Sequence, residues 1–246
     1  MSTLLSACRG ITPKGAVGVP TLEGVDGGPT IWVRPAGVTD ASGAVGSWDS
    51  EGSNTLRFSN STTTERPSIV TVGGLNVPQF DGTDDHLLSE TTFTPIERYC
   101  MAVLLRIDAL ANNNRIMDTG SAGGGYLAFF NDGVDDVFRY EQGASDLTGD
   151  TNVADGEWHS VILDIQTSGG TSTLYLNNVV DGTLAGTAVA PTAGTLALAA
   201  TSAGANAAGI TLADLALWND IAGAPSVTDI YNYHVAVANV LGVTLG

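Results

Sequence analysis

Lysine is almost missing from this chain. Lys14 is the single example, and nine basic residues face 26 acidic ones, for a net charge of −17 over 246 residues. A surface of that sign repels phosphate backbones and anionic headgroups, which excludes nucleic acid and membrane from the expected partners. Charged residues of both signs amount to only 14%, so Ser, Thr, Asn and Gly must carry much of the surface. Cysteine is scarce. Cys8 and Cys100 make no disulfide framework, and Cys100, inside an apolar run, reads as a small buried hydrophobe. Leu5-Ser6-Ala7-Cys8 has the order of a lipoprotein cleavage site, but no basic residue precedes it and no full apolar segment is present, which argues against lipidation and against a signal peptide. No stretch approaches the ~18 apolar residues of a membrane-spanning helix.

Catalytic signatures are also missing. There is no Gly-x-Ser-x-Gly elbow, no phosphate-binding Gly-x-x-x-x-Gly-Lys, no dinucleotide fingerprint opening a helix and no zinc-ligand spacing. His86, His159 and His234 have no recognisable partner, and His159 reads as a hydrogen-bonded structural histidine.

What is present is a succession of short strands. The 31 glycines lie at turn positions, about double the usual ~7%. Residues 1–29, rich in Gly, Pro, Thr and Ala without periodicity, read as an extended arm, followed by one domain over 30–246. Thr30–Arg34, Leu56–Phe58, Ser68–Val72 and Val77–Asp81 are short strand signals, with Val38–Val45 read as a loop. In Arg98–Ile107, Tyr99, Met101, Val103, Leu105 and Ile107 share one face and Cys100, Ala102 and Leu104 the other. Apolar on both sides, it must be central and covered. Tyr126–Phe130 and Val137–Gln142 form a hairpin across Asn131-Asp132-Gly133.

The most regular stretch is Asp155–Thr183. Val161, Leu163 and Ile165 face one way and Ser160, Asp164 and Gln166 the other, with Ile162 the exception. Leu174 and Leu176 then alternate with Thr173 and Tyr175, and Asn177-Asn178 suits a two-residue turn, giving a three-strand meander. In Gly209–Trp218, Leu212, Ala216 and Trp218 alternate with Ala213, Leu215 and Leu217. One late helix is signalled by Ser226 with Asp229 three residues on, and by Val227, Ile230, Tyr231 and His234 at helical spacing, with an apolar tail after it. The sum is an all-β chain: a two-sheet antiparallel jelly-roll sandwich with one short C-terminal helix.

Trp32, Trp48-Asp49, Arg66-Pro67, Phe80-Asp81-Gly82 with Asp85-His86-Leu87, Asp155-Gly156-Glu157-Trp158-His159, Leu174-Tyr175-Leu176-Asn177, Asp214 to Trp218 and Asp229 to His234 form an ordered set over residues 30–234. This set resembles the concanavalin A-like lectin/glucanase superfamily, most closely the laminin-G-like jelly rolls of bacteriophage and environmental bacterial proteins. The resemblance implies the sandwich fold and a choice among sugar binding, adhesion and plain structural roles. Glucanases of that superfamily carry Glu-x-Asp-x-x-Glu on one strand. None of Glu23, Glu51, Glu65, Glu90, Glu97, Glu141 or Glu157 begins such a run, so no enzyme is expected.

Trp48, Trp158 and Tyr175 are the glycan-contact candidates, each with core or rim packing as the competing reading. Arg66 beside Pro67 reads as a loop anchor pairing with a carboxylate. Calcium is the one metal worth carrying forward, on Asp81, Asp84 and Asp85 or on Asn131, Asp132, Asp135 and Asp136, neither an EF-hand. The expectation is a non-enzymatic virion structural protein of a bacteriophage, in capsid decoration, a head fibre or the tail. It is made in the host cytoplasm, assembles with other virion proteins and copies of itself, and contacts host-surface glycans. The alternative is a carbohydrate-binding module, and a divergent glycosidase comes last.

Overall fold

The computed structural model describes residues 28–93, 98–109, 114–118, 125–131, 136–142, 145–153, 156–166, 170–185, 193–219 and 225–246. All but the end of the expected arm, and the Ser168-Gly169 part of the first meander turn, lie outside these. The strands are β1 (Ile31–Val33), β2 (Val38–Ala41), β3 (Ala44–Asp49), β4 (Arg57–Ser59), β5 (Ser68–Val72), β6 (Leu75–Asp81), β7 (Leu87–Phe93), β8 (Arg98–Ala109) and β9 (Asn114–Asp118). They continue with β10 (Gly125–Asn131), β11 (Asp136–Gln142), β12 (Ser145–Thr148), β13 (Trp158–Gln166), β14 (Thr171–Leu176), β15 (Val179–Ala185), β16 (Gly194–Leu198) and β17 (Gly209–Trp218), and α1 (Val227–Leu241) follows.

All ladders are antiparallel and fall into two layers. One runs β17–β8–β13–β14–β15, with β6 and β1 sharing the free edge of β17 and β5 beside β6. The other runs β2–β3–β4–β7–β16–β9–β10–β11–β12. This is the expected jelly-roll sandwich. The Val38–Val45 segment is not a loop. Ser42 and Gly43, at φ 62° and 89°, turn β2 directly into β3.

The alternation explains the layering. Tyr99, Met101, Val103 and Leu105 of β8 and Val161, Leu163 and Ile165 of β13 enter the core between the sheets. Cys100, Ala102, Leu104 and Ile162 point the opposite way into a second apolar cluster beneath α1. The exceptional Ile162 therefore has a cover. In β17 the strict alternation read from sequence fails, because a register shift between Leu212 and Asp214 inserts one residue. Leu212, Leu215 and Leu217 all face the inter-sheet core, while Ala216 and Trp218 face the helix.

The helix is longer than its first turns suggested. Ser226 Oγ accepts from the Asp229 N–H at 3.2 Å and donates to Asp229 Oδ2 at 2.7 Å. The apolar tail continues as helix to Leu241, burying Val237, Ala238 and Leu241, and ends at Gly242 in the left-handed region with φ 70°. Asn177 and Asn178, at φ 49° and 69°, make the anticipated tight turn between β14 and β15.

Candidate functional site

The aromatic candidates are mostly inside. Trp48 is 0% exposed, packs in the inter-sheet core and donates Nε1–H to the Arg34 carbonyl at 2.7 Å. It cannot meet a sugar, because its side chain, beside that of Phe58 on the paired strand, is sealed in the core between the sheets. Trp158 is also buried, in the cluster under α1, with the Arg106 guanidinium 5.7 Å from its ring centre. Tyr175 alone keeps partial exposure, at the margin of that cluster. Of the face that β13 and β14 turn away from the inter-sheet core, Trp158 and Ile162 lie in the cluster with α1, while Asp164, Gln166 and Thr173 stay half-buried.

The acidic turn between β6 and β7 is assembled. Asp81 Oδ1 accepts from the N–H groups of Thr83, Asp84 and Asp85 at 2.7, 3.3 and 3.4 Å, and these bonds hold its pKa below the usual range although burial works against them. Gly82, at φ 79°, sits where a Cβ would come within 2.9 Å of the Gly209 nitrogen, so the turn lies tight against the start of β17. Asp85 is buried and its Oδ2 accepts from the Asp81 N–H at 3.0 Å. Burial first, then the charges of Asp81 and Asp84, push its pKa up to about 6, against the Asp81 N–H and the His86 charge.

Carboxylate oxygens of Asp81, Asp84 and Asp85 lie within 4.8 Å of one another. This all-oxygen donor set, with one member held at raised pKa by burial and then by its neighbours' charge, fits a hard cation such as calcium, other oxygens completing the shell. In the second acidic group, Asp132 and Asp135 lie outside the described residues. Asp136 opens β11, opposite Asn131.

Beside Asp84 lies a polar depression of about 330 Å³, lined among others by Asn60, Thr62, Glu65, His86, Ser202 and Gly204. Three loops build it. Asn60 Oδ1 accepts from the Thr62 N–H at 2.9 Å, and its amide donates to the carbonyls of Glu65 and His86, each at 3.2 Å. Arg66 anchors this loop as anticipated, but through Nε–H to the Asn60 carbonyl at 2.7 Å rather than through a carboxylate. His86 Nδ1 is 2.8 Å from the Asp84 carbonyl, which can only accept, so Nδ1 carries the proton. Asn60 Nδ2, with both hydrogens directed to the Glu65 and His86 carbonyls, lies 3.2 Å from Nε2 and 3.4 Å from Nδ1. Gly204, at φ 74°, brings backbone so close to the imidazole that a Cβ would lie 3.1 Å from Cε1. A second depression of about 230 Å³ is lined among others by Gln79, Asp81 and Asp108, so Asp81 borders one hollow and Asp84 the other. Asn60, Glu65 and Ser202 escaped the sequence reading. Their signal was only turn chemistry in Ser59–Glu65 and Thr201–Gly204.

The expectation that the histidines lack partners is corrected. Ser160 Oγ is 2.7 Å from His234 Nδ1, and His234 Nε2 is 3.7 Å from Asp214 Oδ1. All three are 0% exposed, His234 on the buried side of α1 and Ser160 and Asp214 on the strands. At 3.7 Å no hydrogen bond joins His234 to Asp214, and both atoms are otherwise unpartnered. Asp214 Oδ2 instead accepts from Tyr233 Oη at 2.6 Å and Trp32 Nε1 at 3.2 Å. Burial, reinforced by Asp214, raises the Tyr233 pKa well above normal. Arg34, over the Trp32 ring at 4.4 Å, pairs with Glu51, and although burial opposes its charge this pairing raises its pKa. With no access for a substrate, the arrangement ties α1 to β1, β13 and β17. His159, also buried, stacks edge-on to Phe138 at 6.0 Å.

A laminin-G-type family model described as "Concanavalin A-like lectin/glucanases superfamily" matches residues 80–228. Among solved structures, the chain is similar to the Trypanosoma rangeli sialidase in complex with 2,3-difluorosialic acid, with 15% identity and a TM-score of 0.55 over 90% of this chain and 34% of the sialidase. The chain therefore spans about a third of the sialidases it matches. Similarity extends to the Ruminococcus gnavus IT-sialidase CBM40, with 14% identity and a TM-score of 0.46 over 56% of this chain and 83% of that one. It also extends to the SAP-like pentraxin of Limulus polyphemus, with 16% identity and a TM-score of 0.47 over 65% and 80%. No curated protein matches the chain.

Proposed function

The chain belongs to the concanavalin A-like lectin/glucanases superfamily, and from that membership we propose that it is a non-catalytic carbohydrate-binding module whose ligand sits at the loop edge beside Asp84 and His86. The observation that carries this reading is the polar depression itself. Its imidazole is held by Nδ1–H to the Asp84 carbonyl, its amide is locked by backbone carbonyls, and Thr62 and Ser202 line its rim. Such a set offers both donors and acceptors to sugar hydroxyls. Asp81, Asp84 and Asp85 would hold a hard divalent cation next to it, whose charge would offset their mutual repulsion. Non-catalytic function is supported by the sealing of the Ser160–His234–Asp214 alignment under α1. A glycan array probed with the full chain, with and without calcium, tests the reading. Binding that weakens in His86→Ala and Asn60→Ala supports it, and retention of full binding in both overturns the site.

The second reading concerns where such a module works. Residues 1–29 lack periodicity and are rich in Gly, Pro, Thr and Ala, which favours an arm that docks on neighbouring subunits. We infer a bacteriophage virion as that setting, with other virion proteins and further copies of this chain as partners. Mass spectrometry of purified virions tests it, and a virion proteome without this protein sinks it.

A further inference from the structure

We propose that an apolar shelf between α1 and the β14–β15 turn receives the first 22 residues of a neighbouring copy of this chain. This rests on the reading of residues 1–29 as a docking arm, and it names the surface on which the arm lands. Among the described residues the exposed large hydrophobics are Val179 and Val180, at 67% and 55%, directly after the Asn177-Asn178 turn. Val180 lies opposite Tyr175 in the β14–β15 ladder, so the two side chains share a face, while Val179 points to the other. Tyr175 and Tyr231 are both half-buried at the margin of the cluster beneath α1. Thr228 Oγ1 lies 3.5 Å from Asn178 Oδ1, which sets the first turn of α1 against this hairpin. Tyr231 stands one turn further along the same side of the helix. Val180, Tyr175 and Tyr231 thus form the shelf. A carboxylate flanks it on each side: Asp229 next to Thr228, and Asp164 opposite Thr173, two residues from Tyr175 on the same face.

Charge and length select the occupant. Arg9 and Lys14 balance Glu23 and Asp26, so residues 1–29 are neutral and the whole −17 belongs to 30–246. Within the arm the signs are segregated: residues 1–22 hold both cations and no carboxylate side chain. The acidic domain attracts this segment, whereas pairing shelf to shelf would press two −17 domains together. Thr12 and Val19 each precede a proline, which favours extended backbone, and in an extended run Val17 and Val19 fall on one side. That gives the segment an apolar edge for the shelf, with Arg9 and Lys14 free to meet the flanking carboxylates. The carbonyls of Pro29 and Thr30 are fixed by the N–H groups of Ser53 and Asn54 at 3.0 and 2.8 Å. The residues before them have a reach of up to ~90 Å when extended, enough to cross onto an adjoining copy.

Cys8 makes the test direct, because it lies in the arm and Cys100 is buried. Full-length ¹⁵N-labelled Cys8→Ser protein is mixed at low salt with unlabelled full-length protein carrying a nitroxide on Cys8. Selective broadening of the Tyr175, Val180 and Tyr231 amides is expected, together with self-association in sedimentation equilibrium. Val180→Asp should weaken that association roughly tenfold, and so should Arg9→Glu combined with Lys14→Glu. Val179→Asp, on the opposite face of β15, should change it by no more than about twofold. The spectrum of each variant reports its folding. Broadening that appears only when both labels are in one chain, that falls elsewhere on the domain, or that is absent overturns the proposal. Equal sensitivity to the two valines overturns it as well. These failures are distinct from failure of the virion assignment, which the virion proteome decides and which leaves a contact between copies standing.

Discussion

Replacing Asp85 by Asn should stabilise this protein above pH 6 and leave it unchanged near pH 4. The Asp85 carboxyl titrates at about 6 instead of 3.8 because it is buried and faces the charges of Asp81 and Asp84. The folded state therefore holds the proton more tightly than the unfolded chain does. Its contribution favours folding below the unfolded pKa, and that benefit is lost as pH rises from about 4 through about 6. A shift of about two pH units at ~1.4 kcal/mol each sets a ceiling of about 3 kcal/mol, which residual solvation reduces to an expected 1–3 kcal/mol. Asn retains an acceptor for the Asp81 N–H, 3.0 Å from Oδ2 in the parent, so the turn should persist. Urea unfolding of both proteins at pH 4, 5, 6, 7 and 8, in chelator, measures the difference directly, since other carboxylates cancel. In heating experiments the gain corresponds to ~2–4 °C per kcal/mol for a chain of this size. A gain as large at pH 4 as at pH 8 would refute the charge argument, and no gain at any pH would refute the burial. Added calcium should stabilise the parent more than the variant.

Asp214→Ala should cost about 3–5 kcal/mol in denaturant unfolding, because it strands the buried Tyr233 hydroxyl and Trp32 indole N–H, whereas Asp214→Asn, which keeps one acceptor, should cost less. Gly73→Ala should be among the most damaging small substitutions. Its Cβ would lie 2.5 Å from the Leu241 carbonyl carbon at φ 56°, while the neighbouring Gly74→Ala, at φ 85° in open space, should show only the ~1–3 kcal/mol of left-handed strain. Trp48→Ala should lose about 3–5 kcal/mol of stability, and any loss of glycan binding should vanish once binding is corrected for the folded fraction.

Much of the sandwich was legible because period-two alternation is a local property. The two faces of β8, the β13–β14–β15 meander and the Asn177-Asn178 turn follow from residues a few positions apart. The β17 bulge was not legible, since an inserted residue leaves composition unchanged and shows only in pairing with β8. The acidic turn was visible as a run of aspartates, and Asp81, Asp84 and Asp85 do converge. The depression next to it was not, because its walls come from loops near residues 60, 84 and 202 that only folding brings together.

An antiparallel β architecture, one capped late helix, a strongly acidic chain and the lack of a contiguous glucanase motif are all written in local sequence. Each is carried by neighbouring residues or by composition, so no long-range contact is needed to read it. Packing across the whole chain buries Trp48 and Trp158, brings His234 to Ser160 across 74 residues, and leaves Tyr175 at the margin of the cluster beneath α1. Burial and convergence depend on which surfaces the two layers and the helix turn toward one another, and that information is spread over the whole chain.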